Sequence, residues 1–247
     1  MKPLTPDEYR IVPETGYTAG DRNRPQPRVV SPGARDFNPP SDAIVLFDGT
    51  NLDAWKNRDG TPPAWKIQDG YTEVVPKSGN IWSRESFGDI QLHLEFASPL
   101  EIEGDGQGRG NSGIFFMDTY EVQILDSFEN PTYPDGTVGA VYNQWPPLVN
   151  PIRKPGEWNT FEITFTAPVF EGHKLLEPAF ITVFLNGIVI HNHAKILGGT
   201  RMRTGDLPHY ASHEPKGPIQ LQDHNNPVRF RNIWVRELDL KPLGEVA

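Results

Sequence analysis

The sequence predicts an all-β fold, a two-sheet antiparallel β-sandwich of the jelly-roll type with long loops and little helix. Turn-forming residues are frequent, with 23 Gly and 25 Pro among 247 residues, and aromatic residues make up 11% of the chain. Apolar and polar residues alternate over short runs, and no long run rich in Ala, Leu, Glu and Lys indicates a helix. A single sandwich domain of this length is common.

The chain divides into three parts by composition. Residues 1–42 are rich in Pro, Arg, Asn and Gly and predict an extended N-terminal arm, either anchored to the domain or a disordered leader. Residues 43–240 carry the strand pattern and form the predicted sandwich domain. Residues 241–247 form a short C-terminal tail.

The first half of the domain begins with a short apolar run at residues 43–49. Residues 64–75 predict two strands around Asp69-Gly70, which is a strong hairpin signal. Residues 89–96 alternate cleanly, so their apolar side chains face a core. Two polar residues of this strand, His93 and Glu95, are expected at the surface.

A Gly-rich loop, residues 103–113, leads into the next strand. A phosphate-binding loop is the alternative, but such a loop follows a strand, opens a helix and ends in Lys. No Lys and no helical pattern follow these glycines. A flexible loop at the edge of a binding site is therefore predicted.

Long loops and short strands alternate through the second half of the domain. Loops are predicted over residues 127–159, with one short strand at 140–142, and over 197–216. Further strands are predicted over residues 158–166, 179–191 with a turn at Asn186-Gly187, 218–223 and 228–237.

Two predicted strands carry polar groups that share a face. Glu121 and Gln123 alternate with apolar residues on one strand, and Gln220, Gln222 and His224 follow the same period near the end of the chain. A surface strand usually shows no chemical order in its polar residues. An acid, amides and an imidazole on rigid strands therefore predict a site for a polyhydroxylated ligand.

Aromatic residues are concentrated in the long loop 127–159. Tyr142 and Trp145, together with Tyr133, are predicted to wall a cleft, because aromatic surfaces are common in sugar-binding sites. The alternative is that these rings only pack the loop onto the sandwich.

Charge and apolar content exclude some classes of function. The net charge of −9 and the absence of a Lys/Arg cluster argue against nucleic acid as a partner. No apolar run is long enough to span a bilayer, and the N-terminus shows no apolar segment of a secretory signal. Without Cys the chain has neither disulfides nor thiolate metal ligands.

Five segments of the sequence resemble the 3-keto-disaccharide hydrolase domain family, in the order found in that family. The resemblance runs from about residue 44 to residue 238. The segments are LFDGTNLDAW, NSGIFFMDTYEVQILDS, GAVYNQWPPLVNPIRKPGEWN, FLNGIVIHNH and GPIQLQDHNNPVRFRNIWVREL.

This resemblance implies a concanavalin A-like sandwich with a ligand groove on its concave sheet, in an exported bacterial protein of the periplasm or the extracellular space. In the family reaction a separate sugar 3-oxidoreductase first makes a ketone at C3, which acidifies the C2 proton. Loss of that proton gives an enolate that expels the C1 substituent. Water then adds to the unsaturated intermediate, so the net reaction is hydrolysis of a glycoside.

This chemistry needs a base near C2, a group that stabilises the enolate and an acid at the leaving oxygen. For the base and the acid, this chain offers Glu121 and His224 as the candidate catalytic pair, with the acid and the base not yet distinguished. Arg231 is expected to offer a charge-assisted hydrogen bond to the enolate. The predicted substrate-binding residues are Asn111, Gln123, Gln222, Arg231, Tyr142 and Trp145.

Structural roles compete with each assignment. A turn role for His224, a salt bridge for Glu121 and a surface ion pair for Arg231 all stay open. Turn capping is the favoured role of Asp126 and Asp223. The sequence requires no cofactor; a divalent cation on Glu121, His224 and an Asp is the weaker alternative, because no tight ligand spacing supports it.

Two other functions are compatible with the same fold. The first is a non-catalytic carbohydrate-binding module, which needs aromatic and amide groups but no convergent acid and base. The second is a conventional endoglycanase, which needs two carboxylates close together on one strand. Gln123 occupies the middle position of that pattern here, and this argues against the endoglycanase.

Overall fold

The computed structural model describes residues 37–200 and 207–240. Within these ranges the chain forms strands and two short 3-10 turns, Gly106–Gly108 and Pro134–Gly136, which confirms the predicted all-β class. The strands are β1 Ile44–Phe47, β2 Trp55–Lys56, β3 Lys66–Gln68, β4 Tyr71–Glu73, β5 Ile81–Phe87, β6 Ile90–Ala97, β7 Ser112–Phe116, β8 Tyr120–Ile124, β9 Asn159–Thr166, β10 Val169–Glu171, β11 Lys174–Glu177, β12 Phe180–Leu185, β13 Ile188–Lys195, β14 Gly217–Leu221 and β15 Arg229–Glu237.

The strands form two main antiparallel sheets. An eight-stranded sheet has the order β13-β12-β9-β6-β15-β4-β3, with β1 also paired to β15. A five-stranded sheet has the order β2-β5-β14-β7-β8, and β10 and β11 form a separate hairpin. The two main sheets pack face to face, as the sequence predicts for a sandwich.

The core lies between the sheets and is built by the alternation of apolar residues. Phe116 of the five-stranded sheet stacks on Phe165 of the eight-stranded sheet, with 4.8 Å between ring centroids. On β8, Tyr120, Val122 and Ile124 are buried in this core. The intervening residues of β8 therefore point away from the core, on the outer face of the five-stranded sheet.

The two predicted hairpin turns are present. Asp69 and Gly70 join β3 to β4 with φ of 48° and 78°, and Asn186 and Gly187 join β12 to β13 with φ of 53° and 78°. Positive φ at both central residues is the geometry of the type I′ turn. The predicted strand at 140–142 is reduced to isolated bridges at Val141.

The long loop covers the free edge of β8. Gly139 N–H donates to the Gln123 carbonyl oxygen at 2.8 Å, and Gln123 N–H donates to the Ala140 carbonyl oxygen at 3.0 Å. His191 of β13 contacts the Gly139 carbonyl oxygen through Nε2 at 2.9 Å. The loop therefore connects β8 with the eight-stranded sheet.

The end of the predicted arm contacts the outer face of the eight-stranded sheet. Asn232 Nδ2 and Trp234 Nε1 both donate to the Phe37 carbonyl oxygen at 3.0 Å. Asp42 forms a two-point ion pair with Arg236, with both N–O distances 2.8 Å. Residues 1–36 of the predicted arm and the predicted tail 241–247 lie outside the described residues.

No helix in the described ranges is both long enough and apolar enough to cross a membrane.

Replacing Gly139 by Ala is expected to lower the free energy of unfolding by about 2 kcal/mol, because the new methyl group meets Ile190 and the backbone is left-handed. The φ of Gly139 is 77°, and its Cβ would lie 2.3 Å from Ile190 Cδ1. Gly172→Ala is the matched control, since Gly172 also has a positive φ, 58°, but no described atom within 4 Å of its Cβ. If urea unfolding shows the same loss of unfolding free energy in Gly139→Ala and Gly172→Ala, the role of the Ile190 contact is contradicted.

Candidate functional site

Five side chains form a row across the outer face of the five-stranded sheet. Residues paired on neighbouring antiparallel strands point to the same side. The pairs are Lys56 with Trp82, Trp82 with Gln220, Gln220 with Phe115, and Phe115 with Glu121. We call these five residues the cross-strand row.

A second, shorter row lies beside the first. Gln123 pairs with Gly113 across β7 and β8. Gln222 extends β14, because its N–H donates to the Gly113 carbonyl oxygen at 3.0 Å. Gly113 therefore lies between two glutamines, and the place of its missing side chain is taken by the Glu121 carboxyl and the Phe115 ring, which would lie 2.7 and 3.1 Å from a Cβ there.

Glu121 is a buried carboxyl group without a cation. Its residue is 5% exposed, and among the described residues it makes no ion pair. Burial raises the pKa of Glu121 to about 8, because the charged form loses its hydration. At neutral pH the group is mostly protonated, and it gains or loses a proton close to neutrality.

Gln123 and Gly113 hold the Glu121 carboxyl in place. The Gln123 amide lies 3.0 Å from the Ser112 carbonyl oxygen, 3.2 Å from Glu121 Oε1 and 3.1 Å from Gln107 Oε1. Three acceptors thus surround one amide, and a proton on Glu121 supplies an additional donor. A Cβ on Gly113 would come within 2.7 Å of Glu121 Oε1, so the glycine gives the carboxyl its space.

Gln220 presents its amide to the same surface. The residue is 5% exposed, and its side chain forms no hydrogen bond with any residue in 37–200 or 207–240. An amide that has no protein partner and keeps some contact with solvent can exchange its hydrogen bond with water for one with a ligand hydroxyl group. Gln220 is therefore a hydrogen-bonding group in position for a ligand.

His224 lies in an exposed turn beyond the end of β14. It follows Gln220 by four residues, which is about 13 Å of extended chain, and β14 is two strands, or about 10 Å, from β8. Asp223 fixes the turn, since its carboxylate accepts the N–H groups of Gly79 and Asn225 at 2.9 and 2.8 Å. Extending this register puts Gly113 between His224 and Glu121, and no hydrogen bond or ion pair joins these two residues within 37–200 and 207–240.

Asn111 organises the rim of this surface. Its Nδ2 donates to the Gln107 carbonyl oxygen at 2.7 Å, and its N–H donates to Asn226 Oδ1 at 2.6 Å. These bonds connect the Gly-rich loop with the turn that carries His224. Asp126 also has a structural contact, an ion pair with Arg109 at 2.7 Å.

The two predicted aromatic residues of the long loop have different surroundings. Tyr142 N–H donates to the Glu121 carbonyl oxygen at 3.2 Å, and its hydroxyl lies 2.6 Å from that of Tyr133. Trp145 is 41% exposed and donates from Nε1 to the Lys195 carbonyl oxygen at 2.7 Å. Tyr142 therefore adjoins the Glu121 strand, whereas Trp145 anchors the loop to β13.

Arg231 lies on the other sheet, so the predicted grouping of Arg231 with Glu121 is corrected. It belongs to β15 and pairs with Glu95 of β6, with Nε 2.6 Å from Oε2. Its guanidinium group also lies 4.2 Å from the centroid of the Trp158 ring. The core separates this outer face from the face of Glu121.

The expectation that His93 is a surface residue is also corrected. His93 is fully buried, its Nδ1 lies 2.5 Å from Glu162 Oε1, and its ring stacks between Phe37 and Trp234. Burial lowers the pKa of His93, but hydrogen bonds with Glu162 and Glu95 outweigh it and raise the pKa. Phe37 covers this histidine. The alternation of polar and apolar residues in β6 could not predict that contact, because Phe37 lies outside the strand.

Sequence reasoning missed Trp82 and Lys56. Trp82 is 9% exposed and donates from Nε1 to Asp118 Oδ1 at 2.7 Å. The sequence feature that could have identified Trp82 is the alternation in IWSRESF, in which Ile81 faces the core and Trp82 faces the opposite side. The place of Trp82 in the row depends on pairing with β14, which is distant in sequence.

Within the part of the chain that the structure describes, no group of three or more His, Asp or Glu residues is arranged to hold a metal ion.

Comparisons with known proteins give relatives whose names describe carbohydrate-cleaving enzymes. The sequence profile of the 3-keto-alpha-glucoside-1,2-lyase-like domain matches residues 42–236. A 3-keto-disaccharide hydrolase of Bacteroides thetaiotaomicron is 25% identical over 234 residues, which cover 79% of this chain and 78% of that protein. These matches support a carbohydrate hydrolase-like function.

Two crystal structures from Parabacteroides distasonis ATCC 8503, both of proteins provisionally assigned as glycosyl hydrolases, share the fold. One is 44% identical, covers 90% of this chain and 98% of its own, and has a TM-score of 0.85. The other is 24% identical, covers 79% and 99%, and has a TM-score of 0.57.

Glu121→Gln is expected to stabilise the protein at alkaline pH. The folded-state pKa of about 8 exceeds the ordinary value of 4.5, so the folded wild type loses stability as pH rises from 4.5 through 8. Relative to wild type, the variant should gain about 4 kcal/mol in unfolding free energy between pH 5 and pH 9. Urea unfolding of wild type and variant at pH 5 and pH 9 measures this gain, and the exposed Glu214→Gln is the control. If Glu121→Gln changes the unfolding free energy equally at both pH values, the raised pKa of Glu121 is contradicted.

Glu95→Gln is expected to show the opposite dependence. Burial raises the pKa of Glu95, but hydrogen bonds from His93, Asn232 and Arg231 outweigh it and lower the pKa to about 2. This stability is present above pH 4.5 and is lost as pH falls towards 2, so the variant should lose about 2 kcal/mol at pH 6 and little at pH 2. Glu237→Gln, in an exposed ion pair with Lys216, is the control. A loss that persists at pH 2 would contradict this account.

Proposed function

Because the chain belongs to the 3-keto-alpha-glucoside-1,2-lyase-like domain family, we propose that it cleaves 3-keto-glycosides by proton abstraction, elimination and addition of water. The observation that carries this proposal is Glu121, a buried carboxyl whose pKa is raised to about 8. A group that titrates near the working pH is suited to general acid–base catalysis.

The proposed reaction has two stages. In the first, a base removes the C2 proton and the electron pair enters the enolate formed with the C3 ketone. The enolate then collapses, a C1–C2 double bond forms, and the C1–O bond breaks as the leaving oxygen takes a proton. In the second stage water adds at C1 and a proton returns to C2, so the sum is hydrolysis.

Glu121 is the proposed acid at the leaving oxygen, since it carries a proton at neutral pH. After donating that proton, its carboxylate is a base for the incoming water. His224 is the proposed base at C2. In the proposed complex the sugar ring lies on the outer face between these two residues, and in this way two separate groups serve one substrate.

The amides beside Gly113 are the proposed binding groups. Gln123, whose amide already contacts Ser112, Glu121 and Gln107, positions the acid, whereas Gln220 on β14 and Gln222 just beyond its end present their amides to the sugar ring. They donate to sugar hydroxyls or to the C3 ketone, where a hydrogen bond strengthens as the enolate forms. Tyr142 beside the Glu121 strand is the proposed wall of this site.

The proposal implies a partner reaction and a location. The ketone must be made by a separate sugar 3-oxidoreductase, because the proposed chemistry itself neither oxidises nor reduces the sugar. An exported protein of the periplasm or extracellular space remains our proposal for the location.

The wild-type protein is expected to release the leaving group of a chromogenic 3-keto-glucoside but not that of the unoxidised parent. Glu121→Gln should lower kcat/KM roughly 10² to 10⁴-fold, the usual contribution of a general acid or base. His224→Ala should cause a loss of the same order. Wild-type activity should fall as pH rises through about 8, because Glu121 then loses its proton.

Glu95→Gln is the control, because it makes the same chemical change on the opposite outer face. Its kcat/KM should equal that of wild type. Cleavage of the unoxidised parent would indicate an ordinary glycosidase. If neither substrate is cleaved and calorimetry shows saturable sugar binding, the protein is a binding module.

A further inference from the structure

We propose that the substrate lies along the cross-strand row, with the cleaved bond beside Glu121 and the leaving group, a second pyranose ring, stacked on Trp82. This inference rests on the proposed function, because it places the leaving group of that reaction. It gives sugar-binding roles to Trp82 and Gln220.

The register of the sheet places Trp82 and Glu121 at the two ends of one track. They are connected through Phe115 and Gln220, so three strand spacings separate them. At about 4.8 Å per strand the distance is about 14 Å, which leaves room for two linked pyranose rings laid across the strands.

Trp82 offers a fixed aromatic surface under a cover that can be displaced. Its Nε1 bond to Asp118 Oδ1, at 2.7 Å, sets the orientation of the indole. The guanidinium carbon of Arg58 lies 5.5 Å from the ring centroid, and Arg58 Nη2 is 4.0 Å from Asp118 Oδ2. The Arg58 side chain is 80% exposed, so its release into water costs little. Removing Arg58 from the indole opens the ring to the apolar face of a sugar.

Gln220 lies between the two ends of the track. The side-chain amide of Gln220 has no hydrogen bond to any described residue, and Gln220 lies in the row between Phe115 and Trp82. A hydroxyl group of the leaving sugar would provide the missing partner. An alkyl leaving group would leave both the amide and the indole without contact.

The arrangement therefore favours disaccharides over glycosides with small leaving groups. The experiment compares kcat/KM for a 3-keto-disaccharide with kcat/KM for the methyl glycoside of the same 3-keto sugar. Trp82→Ala should lower the ratio of these two values roughly tenfold or more, since a lost pocket contact has effects of that size. Trp158→Ala, on the outer face of the other sheet, is the matched control and should leave the ratio unchanged.

Two further variants guard against a folding defect in Trp82→Ala. Trp82→Phe keeps an aromatic ring and should retain most of the preference. Arg58→Ala uncovers the indole and should raise the ratio. An unchanged ratio in Trp82→Ala, an equal fall in Trp158→Ala, or a fall in Arg58→Ala would each overturn the inference.

Failure of the proposed function gives a different result. If wild type cleaves neither 3-keto substrate, calorimetry with the unoxidised disaccharide and its methyl monosaccharide tests the track alone. Tighter binding of the disaccharide, lost in Trp82→Ala, supports the inference; no difference in wild type, or a difference that survives in Trp82→Ala, overturns it.

Discussion

The register between β7 and β8 is the constraint on which the rest of this structure depends. A slip of one residue would turn Tyr120 out of the core and bury Glu121 within it. The pairing of Gly113 with Gln123 sets that register on one side. On the other side, Glu121 N–H donates to Thr200 Oγ1 at 3.0 Å. Since both edges of β8 are held, the carboxyl reaches the outer face in one position, and the neighbouring rows align with it.

Carboxylate charges on the two outer faces of the sandwich have opposite effects on the stability of the fold. Glu95 is surrounded by donors and a cation, so its negative charge stabilises the fold. Glu121 is buried without a cation, so its charge destabilises the fold at alkaline pH. The fold tolerates this charge because the loss of stability arises at one residue, whereas the stabilisation from packing of the two sheets is spread over the whole core. An uncompensated acid of this kind is typical of a site with a chemical role.

Much of the fold was predictable because strand alternation and turn chemistry are local. Asn186-Gly187 specifies its hairpin from two residues, and the outward direction of Glu121 follows from its apolar neighbours. Sheet membership is not local: Arg231 and Glu121 both point outward, yet from different sheets, because β15 pairs with β6. Trp82 joins the site only through β14, more than a hundred residues later. The burial of His93 depends on Phe37, which precedes the first strand.

The long loop along β8 has a consequence for the behaviour of the protein in concentrated solution. An edge strand with free N–H and C=O groups is a template on which another chain can add a strand. Here the outward backbone groups of Glu121 and Gln123 bond to Thr200, Gly139, Ala140 and Tyr142. The strand that carries the acid therefore lies at the border of its sheet, where a long ligand has access, yet it offers no open edge for intermolecular β-pairing. Shortening this loop would expose β8 and favour aggregation through the functional strand itself.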